Sequence, residues 1–212
     1  MKSDQPRFIY VLDPMCSWCW AFKPTIETLK NTYPDYKWEF LLGGLAPDSN
    51  EPMPSEMQLK LQSIWMHIEQ QTGTPFNHDF WIKNTPRRST YPACRAVITA
   101  EKLLSGSSYN MVQLIQKAYY QDAQNPSDDI TLINLAEQLG LNTAQFSAEL
   151  NSTNTKQLLE QQINQAHRLG VQGFPSLFIQ TKAGITPLCY GYSDTEKTIK
   201  RVEQIAKEQR KN

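Results

Sequence analysis

The sequence predicts an α/β protein in which one sheet is supplied from both ends of the chain, a βαβ unit first and a ββα unit last, around an all-helical insertion. Three observations predict it. Short apolar runs of strand character occur only near the two ends. About a hundred residues between them carry apolar stripes at helical spacing and no strand pattern. A proline-rich polar stretch, Ala46-Pro47-Asp48-Ser49-Asn50-Glu51-Pro52-Met53-Pro54, separates the first part from that block. The domain boundaries read from this pattern are 1–45 for the first half, 46–169 for the helical insertion with its closing helix, and 170–212 for the second half.

Residues 7–12 alternate too little for a half-exposed strand and read as a strand buried on both faces. A helix starts at Cys16 and carries Ala21, Phe22, Ile26 and Leu29 at helical spacing, with a kink expected at Pro24 because proline removes a backbone donor. Tyr33-Pro34-Asp35 ends it, and Trp38-Glu39-Phe40-Leu41-Leu42 is the second strand. In the insertion, Met57, Leu61, Ile64, Trp65 and Ile68 form one stripe. Ala96, Val97, Ala100, Leu103 and Leu104 form a second, and Met111, Leu114, Ile115, Ala118 and Tyr119 a third. Pro92 suits a helix start, and Gly140 suits a cap after Ile130–Leu139. A closing helix over Thr155–Leu169 stops at Gly170. Strands at Leu177-Phe178-Ile179 and Leu188-Cys189-Tyr190 follow, turning near Ala183-Gly184. Ser193 with Glu196 three residues on predicts a capping box for a last helix that turns Ile199, Val202, Ile205 and Ala206 inward.

The composition excludes little but does so clearly. Lys plus Arg and Asp plus Glu are 21 each in 212 residues, so no net charge points to nucleic acid or an anionic membrane surface. The polar start Met1–Pro6 and the five-residue apolar run behind it are too short for an export signal or a membrane span, which predicts a cytoplasmic protein.

Chemistry concentrates in Pro14-Met15-Cys16-Ser17-Trp18-Cys19-Trp20, between the first strand and its helix. Helical geometry brings two thiols three residues apart onto one face, and the free N–H groups and dipole of a first turn favour a thiolate. Cys16, at the helix start, is the expected nucleophile and Cys19 the resolving thiol. The gain is large, because a thiol at the ordinary value of about 8.5 is only roughly 3 % ionised at pH 7. Zinc sites share the CxxC spacing, but no second CxxC or HxxxH is present to complete four ligands. His67, His78 and His167 fit no metal spacing and read as ordinary surface or core residues. No metal or other cofactor is expected beyond the redox-active disulfide itself.

Other residues carry two readings each. Cys94 opens a helix beside Arg95 and is either a third redox thiol or, the preferred reading, a buried free cysteine. Cys189, in an apolar strand, reads as core, and a Cys94–Cys189 disulfide is disfavoured in a reducing compartment. Trp18 and Trp20 offer apolar surface to a peptide-like substrate, though Trp20 equally suits packing between sheet and insertion. Arg87-Arg88 reads as a solvated pair, with a basic rim for glutathione or an acidic substrate as the functional reading.

A strand, a CxxC helix with a downstream proline, a second strand, a helical insertion and Gly173-Phe174-Pro175 before another strand together resemble the DsbA-like thioredoxin fold. The Asp13–Trp20 string resembles its signal-less branch of protein-disulfide isomerases, including the FrnE-like proteins. The resemblance covers essentially the whole chain. It implies that Pro175 is cis and packs against the CxxC, and that Phe174 offers its backbone to an extended substrate; Trp18, Phe174 and Pro175 are the substrate-binding residues. It implies protein or peptide thiols and disulfides as substrates and a cellular thiol reductant, with glutathione as a candidate redox partner. Two departures matter. Ser17-Trp18 stand where many relatives have a histidine between the cysteines, which predicts a milder depression of the Cys16 pKa and a less oxidising disulfide. Tyr10 stands where many thioredoxin-fold proteins place a buried acid; Tyr10 or Glu39 are proton-relay candidates, with structural roles preferred for both.

The leading expectation is therefore a thiol–disulfide oxidoreductase or disulfide isomerase. Its rivals are a glutathione-dependent isomerase or transferase of the same fold, against which the intact CxxC counts, and a non-catalytic, chaperone-like binding module.

Overall fold

The protein is described by a computed structural model over residues 5–209. Four strands form one mixed sheet in the order β2-β1-β3-β4, with β1 over Arg7–Leu12, β2 over Lys37–Leu42, β3 over Ser176–Thr181 and β4 over Gly184–Tyr190. β1 and β2 are parallel, whereas β1–β3 and β3–β4 are antiparallel. The parallel pair needs a crossover, supplied by α1 (Ser17–Ala21) and α2 (Lys23–Thr32). This is the DsbA-like thioredoxin fold with a multi-helix insertion.

Central β1 is covered on both sides, as its continuous apolar run predicts. Phe8, Tyr10 and Leu12 face the side of α2 and the insertion, while Ile9 and Val11 face Ala166 and Val171 across the sheet. Each such fully buried aliphatic or aromatic side chain stabilises the fold by about 1.5–3 kcal/mol.

Several boundaries differ from expectation for physical reasons. The first helix breaks at Phe22, not at Pro24, and Pro24 falls in the first turn of α2, where a missing N–H costs nothing. β4 extends further than expected because Pro187 sits on the sheet edge, beside the register shift in the β3–β4 ladder, where a strand tolerates proline. The last helix, α10 (Thr195–Gln209), is capped by Asp194, whose Oδ1 accepts the Lys197 N–H at 2.8 Å; the expected Ser193 box does not form.

The insertion holds α3 (Ser55–Thr72), α4 (Phe80–Lys83), α5 (Tyr91–Leu103), α6 (Ser108–Tyr120), α7 (Asp129–Gln138), α8 (Thr143–Leu150) and α9 (Thr153–Arg168). Pairing outside the sheet is confined, among the described residues, to one isolated bridge between Pro52 and Arg87. Gly140 takes the left-handed cap conformation expected after α7, with φ 73°. Buried Trp65 is the hub of the block, in ring contact with Phe76, Phe80, Trp81, Tyr119 and Tyr120. The rest of its stripe behaves differently: Met57, Leu61 and Ile64 are only half buried. No helix among the described residues is long and apolar enough to cross a membrane.

Candidate active site

The chain leaves β1 at Leu12 and passes through Asp13, which is fully buried and fixes the turn that presents Cys16. Asp13 Oδ1 accepts the Met15 N–H at 2.8 Å, and Oδ2 accepts the Leu45 N–H at 2.7 Å and the Thr90 hydroxyl at 2.6 Å. The Cys94 thiol points at the same oxygen from 3.4 Å. One carboxylate thus ties the turn before Cys16 to the start of the insertion and to α5. Burial raises its pKa, and the donors around it pull the other way without cancelling the effect.

Cys16 is the residue just ahead of α1, and its carbonyl accepts the N–H groups of Cys19 at 3.0 Å and Trp20 at 3.1 Å. Its Sγ lies 3.6 Å from the Phe174 carbonyl oxygen, and the Phe174–Pro175 peptide is cis. The distant loop named by the resemblance is therefore against the CxxC. Pro175 is held in turn by the Gly191 N–H, which donates to its carbonyl at 2.7 Å.

The two thiols occupy different environments. Cys16 borders a groove of about 250 Å³ whose walls include Trp18, Leu61, Ile64, Trp65 and Phe174. Cys19 does not reach the groove and is 1 % exposed. Burial, followed by the adjacent Cys16 thiol, pushes its pKa well above the ordinary value. The buried Tyr10 hydroxyl, which has no hydrogen-bond partner among the described residues, opposes that rise. All four cysteines are free thiols.

The remaining candidates sort by position. Glu39 pairs in register with Ile9, on the face of the sheet opposite Tyr10, where it binds Arg7 at 2.9 Å and accepts the Gln165 amide at 3.0 Å. The period of two takes it away from the thiols, so its role is structural. Trp18 stays half exposed beside His67 and Tyr192. Trp20 is buried, stacks on Tyr120 and donates from Nε1 to the Pro75 carbonyl at 3.1 Å, packing α1 on the insertion. Cys94 is fully buried with its pKa pushed well up, first by desolvation and then by Asp13. Cys189 is half buried and pushed up to about 11 by burial.

His78 pairs with Glu69 at 3.0 Å, and no cluster of three or more potential metal ligands occurs among the described residues. Arg87 corrects the expectation of a solvated pair: it is part-buried, bound to the Ser127 carbonyl at 2.6 Å and Asp128 at 2.5 Å. Arg88 alone stays exposed, on the groove wall.

Asp13, Thr90 and Gly43 escape sequence reasoning. A Cβ at Gly43 would stand 2.0 Å from Phe174 Cε1, so Gly43→Ala must swing the ring beside the cis peptide. We expect exchange to slow about 10- to 100-fold, the usual penalty for misplacing reacting groups by an ångström, with little change in thermal unfolding by circular dichroism. An unchanged rate would remove that ring from the site.

A parallel-antiparallel four-stranded sheet, a dithiol at the start of its first helix and a cis-proline loop against it define the class of thiol–disulfide oxidoreductase folds. Comparison with known proteins agrees. The chain belongs to the DSBA-like thioredoxin domain family, whose family model matches residues 9–198. It is similar to a proposed protein disulfide isomerase of Nitrosomonas europaea, with 25 % identity, TM-score 0.84, and 96 % of this chain and 98 % of that one covered. The cytosolic disulfide reductase DsbM of Pseudomonas aeruginosa shares the fold at 21 % identity and TM-score 0.76, covering 97 % and 100 % of the two chains. Among curated proteins, the ClpXP adapter protein SpxH of Bacillus subtilis is 25 % identical over 176 residues. That of Halalkalibacterium halodurans is 24 % identical over 181. Both alignments cover 82 % of this chain, which spans only 58 % and 59 % of those relatives' lengths.

Proposed function

We propose that the chain is a thiol–disulfide oxidoreductase acting on protein, peptide or small-thiol disulfides, with Cys16 as nucleophile and Cys19 as resolving thiol. The observation that carries this reading is the asymmetry of the pair: Cys16 borders the apolar groove and Cys19 is sealed behind it. In the reducing direction the Cys16 thiolate attacks a substrate disulfide, forming a mixed disulfide and releasing one substrate thiolate. Cys19, losing its proton, then attacks Cys16 Sγ, closing the intramolecular disulfide and releasing the second thiol. Two electrons pass to the substrate, and an external thiol resets the pair. Isomerisation uses only attack and release by Cys16.

The neighbouring protein named a cytosolic disulfide reductase, also solved with GSH, supports a cytoplasmic setting with glutathione as the resetting thiol. Equilibration in buffers of reduced and oxidised glutathione, followed by the fluorescence of Trp18 and Trp20, should show one reversible two-electron transition. Its absence would overturn the reading. The SpxH similarity favours a second one, an adapter that docks a partner protein; partner binding that persists in Cys16→Ser together with no redox couple would select it.

A further inference from the structure

We infer that the groove beside Cys16 selects small disulfides carrying a carboxylate near the reacting sulfur, and that Arg88 is the residue that selects them. This rests on the oxidoreductase reading above and adds the chemistry of the substrate.

The groove walls are mostly apolar and include no aspartate or glutamate. Two arginines border it, but they are not equivalent. The charge of Arg87 is spent on Asp128 and the Ser127 carbonyl. Arg88 is exposed and has no ion-pair or hydrogen-bond partner among the described residues. Its field nevertheless reaches inward: it acts on the Tyr119 phenol of the same wall, more strongly than the buried Asp13, which acts there in the opposite sense. A bound disulfide therefore meets Cys16, apolar contact from Trp18 and Phe174, and one uncompensated guanidinium. That guanidinium can take a carboxylate through two parallel N–H donors. A volume of about 250 Å³ suits a tripeptide-sized half of a disulfide, and Asp13, the one acid among the buried described residues, has its oxygens turned to internal donors.

The test is a set of single-turnover oxidations of the reduced protein, read by Trp18 and Trp20 fluorescence. The probes are glutathione disulfide, the disulfide of glutathione diethyl ester, in which the carboxylates are blocked, and the dication cystamine. The readout is each protein's rate ratio between probes, which cancels the probes' intrinsic reactivities against a free thiol measured in parallel. For the wild type the glutathione disulfide to diethyl ester ratio should exceed that of the free thiol by about fivefold, the order expected for one partly exposed ion pair. Arg88→Ala should bring the ratio to that of the free thiol. Arg88→Glu should depress glutathione disulfide further and speed cystamine, and Arg88→Lys should restore part of the preference. Ratios identical in the wild type, R88A and R88E, with turnover of all three probes, would overturn the inference. A wild type that oxidises with none of them would overturn the oxidoreductase reading, and this inference with it.

Discussion

Cys16→Ser should reduce disulfide exchange to the uncatalysed background, a loss of about four orders of magnitude or more, as is usual when an attacking nucleophile is removed. Cys19→Ser should behave differently. Its Cys16 still faces the groove, so it should accept substrate and stall as a mixed disulfide that accumulates on a non-reducing gel and releases with dithiothreitol. The contrast follows from burial: a thiol that is 1 % exposed and has its pKa raised by desolvation reacts poorly with anything but its neighbour. The buried, unpartnered Tyr10 hydroxyl works against that rise and so favours the Cys19 thiolate as it forms. Equal trapping by the two single variants would contradict the assignment of roles.

What could be foreseen here and what could not divides along the range of the interactions. β1 and the dithiol were legible because their signals are local, an apolar run and a spacing of three. Pro175 came from the resemblance, since the contact of its loop with Cys16, made by the Phe174 carbonyl, joins residues 158 positions apart. Asp13 belonged to the string that carried the resemblance but gave no signal of its anchoring role: an acid at a strand end reads as a turn residue, and its partners Leu45, Thr90 and Cys94 lie 32 to 81 positions away. The α3 stripe was correctly periodic but ambiguous in destination, because one apolar face serves the core at Ile68, the groove beside Cys16 at Leu61 and Ile64, and both at Trp65. Short α4 and α8 lacked enough turns for periodicity to show. Glu39 illustrates the reverse case: register with Ile9 places it on the far face, information that no single strand contains.

Asp13→Ala should be the most destabilising single change near the site. It strands the Met15 N–H in a buried place and the Leu45 N–H in a part-buried one, while the Thr90 hydroxyl has the Ala46 carbonyl, at 3.3 Å, to turn to. One buried unsatisfied amide at about 1–3 kcal/mol, with a smaller share from the part-buried Leu45 amide, gives a loss of about 2–4 kcal/mol, measurable by urea unfolding. Activity should fall more than stability, because Met15 and Leu45 flank Cys16 in the groove. The conservative Asp13→Asn separates charge from shape. The wild-type carboxyl has a pKa raised by folding, so the native state holds its proton more tightly than the unfolded chain does. Its contribution is fully present below the ordinary value of 3.8 and is lost as pH rises through the raised native value. The stability difference between wild type and Asp13→Asn should therefore shift against the wild type across that window and stay constant above it. A difference independent of pH throughout would mean that Asp13 ionises in the fold as easily as in the open chain.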